Sequence, residues 1–439
     1  MKYALNIISL TVFLIGSCLV NGQLNAAEVQ TIKSEQGIVA LLMEDHTNPV
    51  ITISLTFRGG SALDPVGMEG LSSMTANLLD EGAATLDSQS FKKRLKDLSI
   101  SLNFSVSKDS FDITLKTLTE NHKEAFLLLR DTLLEPSFDA DAVVQARNEL
   151  LVNLRYRNED PASVAKKHLF ETIFKGHAYG KSNYGTSQGI LNISIVAIKD
   201  LITRQFVKDR LLIGVVGDIQ AKTLMKLLDD TFGALPQSSV LTQLPHITIP
   251  NSGGIQHVER DTPQSTIMFA QQGIQRRSND FYSAYILNHI IGGTGFGSRL
   301  YNEIRKKRGL AYSIYTYLAT YDKAEIIIGS VSTKTESTYV VLDLIKKEWK
   351  RMATFGPSKE ELQDAKTYLI GSYPLNFIES SIIADTLVGI QYEDLGKDYL
   401  NKRNEYIQSV SLNDVIGLAQ KLLDPNYLTI VIVGGPKSQ

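Results

Sequence analysis

Ser73, Ala76 and Asn77, in the stretch GLSSMTANLLDEGA from Gly70 to Ala83, fall at positions i, i+3 and i+4 and so share one face of a helix. A helix uses that spacing to present two metal ligands with a general base between them. These side chains supply neither function. A hydroxyl and a carboxamide are poor zinc ligands beside imidazole and carboxylate, and a methyl group takes no proton. No other donors replace them: His46, His122, His168, His177, His246, His257 and His289 form no H-x-x-x-H pair and none stands beside a second His at ligand spacing. A second candidate is the glycine-rich run IIGGTGFGSRL, Ile290 to Leu300. It lacks the G-K-[ST] of a phosphate loop, so it reads as a candidate substrate loop built on Gly293, Gly295 and Gly297.

The elements that position these residues follow from pattern. The chain has 439 residues, a formal charge of −2, 43% hydrophobic and 21% charged residues. That is ordinary globular composition for two or three domains, and without a basic excess it argues against a nucleic-acid partner. LLIGVVGD at Leu211 and LTIVIVGG at Leu428 are β-branched runs ending in Gly, 217 residues apart. EPSFDADAVVQARNELL and GPSKEELQDAKTYLI repeat a Pro-Ser-acidic helix start, with Pro136 and Pro357 221 apart. FDITLKTLTENHKEAF and EIIIGSVSTKTESTYV each read as strand, polar turn and amphipathic helix. Three matches in one order point to an internal duplication. Two unrelated α+β domains are the alternative. The expected fold is α+β, two similar halves, each a largely antiparallel sheet with helices packed on one face. Residues 28–240 form the first domain, 241–254 a Pro/Ser/Gly-rich linker, and 255–439 the second. VITISLTFRGG, SISLNFSVSKDSFDITLKTL and LLIGVVGD are strands, the second turning at Ser107–Lys108–Asp109.

The N-terminus reads as a secretory signal peptide, residues 1–27, with one Lys, an apolar run from Ile7 to Val20 and small residues at Ala26 and Ala27. The run is short for a membrane span, and no other stretch of the sequence could cross a bilayer. Cys18, the only cysteine, would leave with the signal, so the expected mature chain has neither disulfide nor thiol nucleophile. This organisation suits a bacterial periplasm. A retained N-terminal anchor and a lipoprotein anchored at Cys18 are the alternatives.

From about Ile32 to Pro436 the chain resembles the pitrilysin/insulinase family of zinc peptidases, the inverted zincins, in its bacterial and mitochondrial-processing branch. FRGGSALDPVGMEGLSSMTANLLDEGA resembles that family's catalytic helix, EPSFDADAVVQARNELLVNLRYRNEDP the helix of the third ligand, GHAYG and its sequel the close of the first domain, and GFGSRLYNEIRKKRGLAYSIY the signature of the second half. The resemblance lays the H-x-x-E-H positions on Ser73, Ala76 and Asn77, and the third ligand on Asn153; all four are changed. It makes His177 a hydrogen-bonded loop residue. It also implies a retained substrate-binding pair, Arg305 and Tyr312, whose guanidinium and phenol would hold a peptide carbonyl and a developing oxyanion. The implied role is the non-catalytic, substrate-binding subunit of a heterodimeric zinc metallopeptidase acting on peptides or small proteins. No metal or cofactor is expected in this subunit, and zinc is expected in a homologous, zinc-bearing partner. A stand-alone periplasmic peptide-binding or assembly protein is the alternative. An independent hydrolase would have no thiol nucleophile to work with.

Overall fold

A computed structural model describes residues 28–434 apart from Leu241 and Phe296; the expected signal segment, with Cys18, lies outside the described residues. The first sheet contains β1 (Val29–Lys33), β2 (Val39–Glu44), β3 (Val50–Arg58), β4 (Ser101–Val106), β5 (Ser110–Leu118) and β6 (Leu211–Gly217), in the spatial order β1-β2-β6-β3-β5-β4. The second contains β7 (Gly254–Val258), β8 (Gln264–Gln272), β9 (Ala311–Tyr321), β10 (Ala324–Lys334) and β11 (Thr429–Val433), ordered β7-β11-β8-β10-β9. Apart from β1 the two orders are the same path. Each has one parallel pair, β2 with β6 and β7 with β11, and is otherwise antiparallel. The duplication read from sequence offsets is therefore a duplication of topology.

β3 shows why these strands sit in the middle of their sheet. Ile51, Ile53, Leu55 and Phe57 alternate with Thr52, Ser54 and Thr56, and both rows are buried. The apolar row packs on helices of its own half, among them Leu71–Leu78 through Met74 and Leu78. In the second half the corresponding core places Ile267 and Phe269 against Leu287, Ile345 and Trp349. Trp349 lies edge-on to Phe269 at 5.7 Å, and its indole N–H donates to Gln271 Oε1 at 2.7 Å.

The opposite face of each sheet is covered by a helix from the other half. Pro161–Ile173 lies on β8 and β11, with Val164, Phe170 and Ile173 against Met268, Ala270 and Val431. Ser380–Tyr392 lies on β2, β3 and β6, with Ile383, Leu387 and Ile390 against Leu41, Met43 and Val216. The hydroxyl row of β3 faces this helix: Thr52 Oγ1 meets Ser380 Oγ at 2.7 Å and Ser54 donates to Asp385 at 2.5 Å. Apolar side chains on sheet and helix are thus buried in the same contact that satisfies the hydroxyls.

The two hairpin turns, β4–β5 and β9–β10, meet between the halves. Tyr179 donates to Asp109 Oδ1 at 2.5 Å, the Asp322 amide donates to Asp109 Oδ2 at 3.1 Å, and Tyr392 donates to Asp322 Oδ1 at 2.8 Å. The Lys323 amide closes the ring by donating to Tyr179 Oη at 3.0 Å. Burial, then the neighbouring aspartate charge, pushes both phenols up, so both remain hydrogen-bond donors. The segment after the first half docks on the second sheet, with the Ile247 amide bonded to Lys323 O at 2.8 Å and Ile249 buried. Among the described residues no helix is long and apolar enough to cross a membrane.

The exchanged helix Ser380–Tyr392 can approach β6 because residue 214 is Gly: a Cβ there would collide with the Ala384 carbonyl oxygen. Gly214→Ala should therefore destabilise the chain by about 1–3 kcal/mol, read as a lower urea midpoint. An unchanged midpoint would show that this contact is not tight.

Candidate functional site

The helix Leu71–Leu78 starts at Gly70, whose φ of +105° makes the sharp entry that glycine tolerates. Its N-terminus is closed by Asp64. The buried carboxylate accepts from the Gly70 amide at 2.9 Å, the Ser72 amide at 3.0 Å and the Ser72 hydroxyl at 2.5 Å. On this rigid frame Ser73 donates to the Asn183 carbonyl at 2.8 Å, and Ala76, 6% exposed, belongs to the core. Asn77 is half-buried. The helix Ala140–Glu159 packs across Leu71–Leu78 and carries Asn153 in an exposed position.

This donor set does not fit zinc. The hydroxyl is committed to a backbone carbonyl, the methyl group is packed in the core, and two carboxamides remain. Among the described residues no group of three or more His, Cys, Asp or Glu side chains is arranged to hold a metal ion. His177 is bonded through both ring nitrogens: Nδ1 accepts from the Tyr179 amide at 3.2 Å and Nε2 donates to Pro245 O at 3.0 Å. That arrangement fixes the ring's orientation in the loop.

Arg305 and Tyr312 do come together. Arg305 is the penultimate residue of a single wide turn of π-type helix, Tyr301–Lys306, and its guanidinium carbon lies 4.4 Å from the Tyr312 ring centroid and 5.1 Å from that of Tyr301. Tyr312 is 82% exposed. A bulge puts it there. Between the pairs Ala311–Thr333 and Ile314–Val331, β9 holds one residue more than β10, so Tyr312 moves to the exposed face with Tyr315 and Tyr317. The rings of Tyr315 and Tyr317 stack 6.3 Å apart, extending an aromatic stripe that sequence reasoning missed. Its only signal was the broken alternation of Ala311, Ile314 and Thr316.

The glycine run precedes this turn. Gly295 takes a φ of +114° beside the Tyr368 ring, Gly293 is pressed against His289, and Gly297 is exposed and accepts from Asn302 Nδ2 at 3.1 Å. His289 stacks on Tyr368 at 4.9 Å, and burial holds its imidazole below the ordinary histidine range.

The two groups of residues are not brought together within the chain. β9 ends at Tyr321, near Asn183 and hence near Ser73, whereas Tyr312 stands nine residues earlier, about 30 Å away along an extended strand.

Residues 39–187 match the family described as Insulinase (Peptidase family M16), and residues 192–369 match the Peptidase M16 inactive domain. The chain belongs to peptidase family M16. A Helicobacter pylori protein named non-peptidase homolog YmxG is 29% identical over 422 residues, covering 96% of this chain and 95% of that one. The mitochondrial-processing peptidase subunit beta of Saccharomyces cerevisiae is 22% identical, covering 87% and 86%. Among solved structures, a peptidase M16 inactive domain from Pseudomonas fluorescens superimposes with a TM-score of 0.88 at 26% identity, covering 94% of this chain and 99% of that one. This chain has the M16 fold in a peptidase-like, inactive form, and the helix on which the resemblance places the metal and base groups presents Ser73, Ala76 and Asn77.

Asp64 offers a test of that frame. Burial pushes its carboxyl up to about 6, against the pull of its three donors and of Lys181. Between pH about 4 and 6 the native chain therefore holds a proton that the unfolded chain has lost, and stability falls as pH rises through that window, by on the order of 2–3 kcal/mol. Asp64→Asn keeps an acceptor oxygen and should flatten this slope in urea melts taken across the window. The same slope in the variant would assign the titration elsewhere.

Proposed function

We propose that the chain is a non-catalytic, substrate-binding subunit that works with a homologue carrying an intact zinc helix, on peptides or small proteins. The observation that carries this reading is the exposed contact between Arg305 and Tyr312 on the outer strand of the second sheet, remote from the chain's own metal-position helix. A pair so placed has no reaction to serve in its own chain. It can serve one in a second chain facing it. The Arg305 guanidinium offers a fork of donors to a peptide carbonyl, and the Tyr312 hydroxyl donates to the oxyanion that develops when the scissile carbonyl is attacked in the partner's site. Zinc belongs to that partner on this reading, and this chain contributes binding and orientation.

The outer strands support a peptide ligand. Among the described residues no strand pairs with the outer side of β4 or β9, so each offers free amides and carbonyls to an extended chain. The relative named as a subunit of a processing peptidase supports a paired assembly. A stand-alone peptide binder would use the same edges but would leave the Arg305–Tyr312 pair without a task.

With the zinc-bearing partner present, Tyr312→Phe should lower kcat by about 10²–10³ without weakening subunit association. Arg305→Ala should raise KM as well, because it also loses ground-state binding. Normal assembly with full activity in both variants would make the pair structural and remove the shared-site reading.

A further inference from the structure

Beside the metal-position helix lies a cavity of about 710 Å3. Its walls come from the β4–β5 turn, the end of the Ala140–Glu159 helix, the exchanged helix Pro161–Ile173, residues 180–187 and Tyr321 at the end of β9. Five cationic side chains line it and only two carboxylates. Lys181 is paired with Glu69 at 3.3 Å, and Lys167 with Glu171 at 4.0 Å. Lys108, Arg157 and Lys166 remain, and among the described residues none of the three has a carboxylate within 4 Å.

Lys108 is the unusual member. It is 7% exposed and donates to Lys181 O at 2.8 Å and to Asn183 Oδ1 at 3.1 Å, which leaves one of its three N–H groups. Asp109, its neighbour in the chain, has turned both carboxylate oxygens to Tyr179 and the Asp322 amide. Burial, reinforced by the charge of Lys166, lowers Lys108 to about 8, so it is still mostly protonated at neutral pH. The Arg157 guanidinium carbon lies over the Tyr184 ring, 3.4 Å from its centroid, which holds the guanidinium at the cavity wall. Lys108 is thus a buried cation without a counter-charge, a costly and rare arrangement, and the half-buried Arg157 and exposed Lys166 add positive charge beside it, so the cavity favours an anionic occupant.

The position of the cavity indicates what carries the anion. Ser107 and Lys108 follow directly on Val106, the last residue of the outer strand β4. A peptide added parallel to β4 would run its carboxyl end past Val106 into the cations. One added antiparallel would bring an amino terminus to them, which like-charge repulsion disfavours. We propose that the cavity recognises the anionic end of a peptide held along β4, through its terminal carboxylate and the acidic side chains next to it. The proposal rests on the peptide-binding reading above.

The test uses the intact chain and two N-terminally labelled peptides with the same alternating Val/Thr core, one ending in Asp-Glu with a free carboxylate, the other in Asn-Gln amide. Fluorescence anisotropy at low salt should show the acidic peptide binding on the order of thirtyfold tighter, with the advantage lost in Lys108→Met. Arg157→Gln and Lys166→Gln, closer to solvent, should each cost the acidic peptide up to about fivefold, and they carry the test if Lys108→Met folds poorly. The neutral peptide should bind all variants alike. Equal binding of both peptides would overturn the proposal while leaving strand addition intact. Failure of both peptides to bind would overturn the peptide reading itself. Inorganic pyrophosphate, titrated in parallel, gives the last arm: if it binds in a Lys108-dependent way while the acidic peptide gains nothing, the cavity is a small-anion site and the proposal fails.

Discussion

Each sheet of this chain has two buried faces, and its own half supplies helices for only one. The exchange of Pro161–Ile173 and Ser380–Tyr392 across the halves is the constraint on which the rest depends. Without it Leu41, Met43 and Val216 on one sheet, and Met268, Ala270 and Val431 on the other, would face water, as would the hydroxyl row of β3. The exchange also explains what is left open. The helices cover the middle strands, so β4 and β9 stay outermost with their edges free, and the ring of Asp109, Tyr179, Asp322 and Tyr392 pins the ends of both hairpins together. A pinned centre with two outermost strands leaves backbone donors and acceptors open on both halves.

The two halves have parted in chemistry while keeping the same path. In the first half two of the four positions that the resemblance assigns to metal and base are absorbed by the fold: Ser73 ties the helix to Asn183, and Ala76 fills the core. In the second half Tyr312 is exposed, and an exposed phenol contributes little to stability. A bulge aims it outward and Arg305 stacks on it, an arrangement that the core of its own half does not require. Loss on one side and upkeep on the other are what a division of labour between homologous chains would leave behind.

Much of this was legible in the sequence. β3, the β4–turn–β5 hairpin and β6 follow from alternation and from polar turn residues, and the duplication follows from ordered offsets. The placing of metal and base positions on Ser73, Ala76 and Asn77 came from the family resemblance, and the i, i+3, i+4 spacing says only that the three share one helix face. The helix exchange was not legible. The amphipathic pattern of Pro161–Ile173 says that it buries a face, and nothing local says against which sheet. Asp64 was missed because it lies six residues before Gly70, outside the usual capping position. The bulge at Tyr312 was missed because one inserted residue only blurs a two-residue period. The cavity cations come from four separate segments, at Lys108, Arg157, Lys166 and Lys181, which only the fold brings to one wall.

The central claim is that an M16 chain without metal donors lends binding groups to a zinc-bearing homologue. Zinc quantification by plasma mass spectrometry, on this chain alone and on the complex recovered with it from the native host, tests that claim most directly. The account predicts no stoichiometric zinc and no peptidase activity for the isolated chain, with one zinc per heterodimer and activity in the complex. One zinc per isolated chain, lost with Asn77→Ala and accompanied by peptide cleavage, would contradict it.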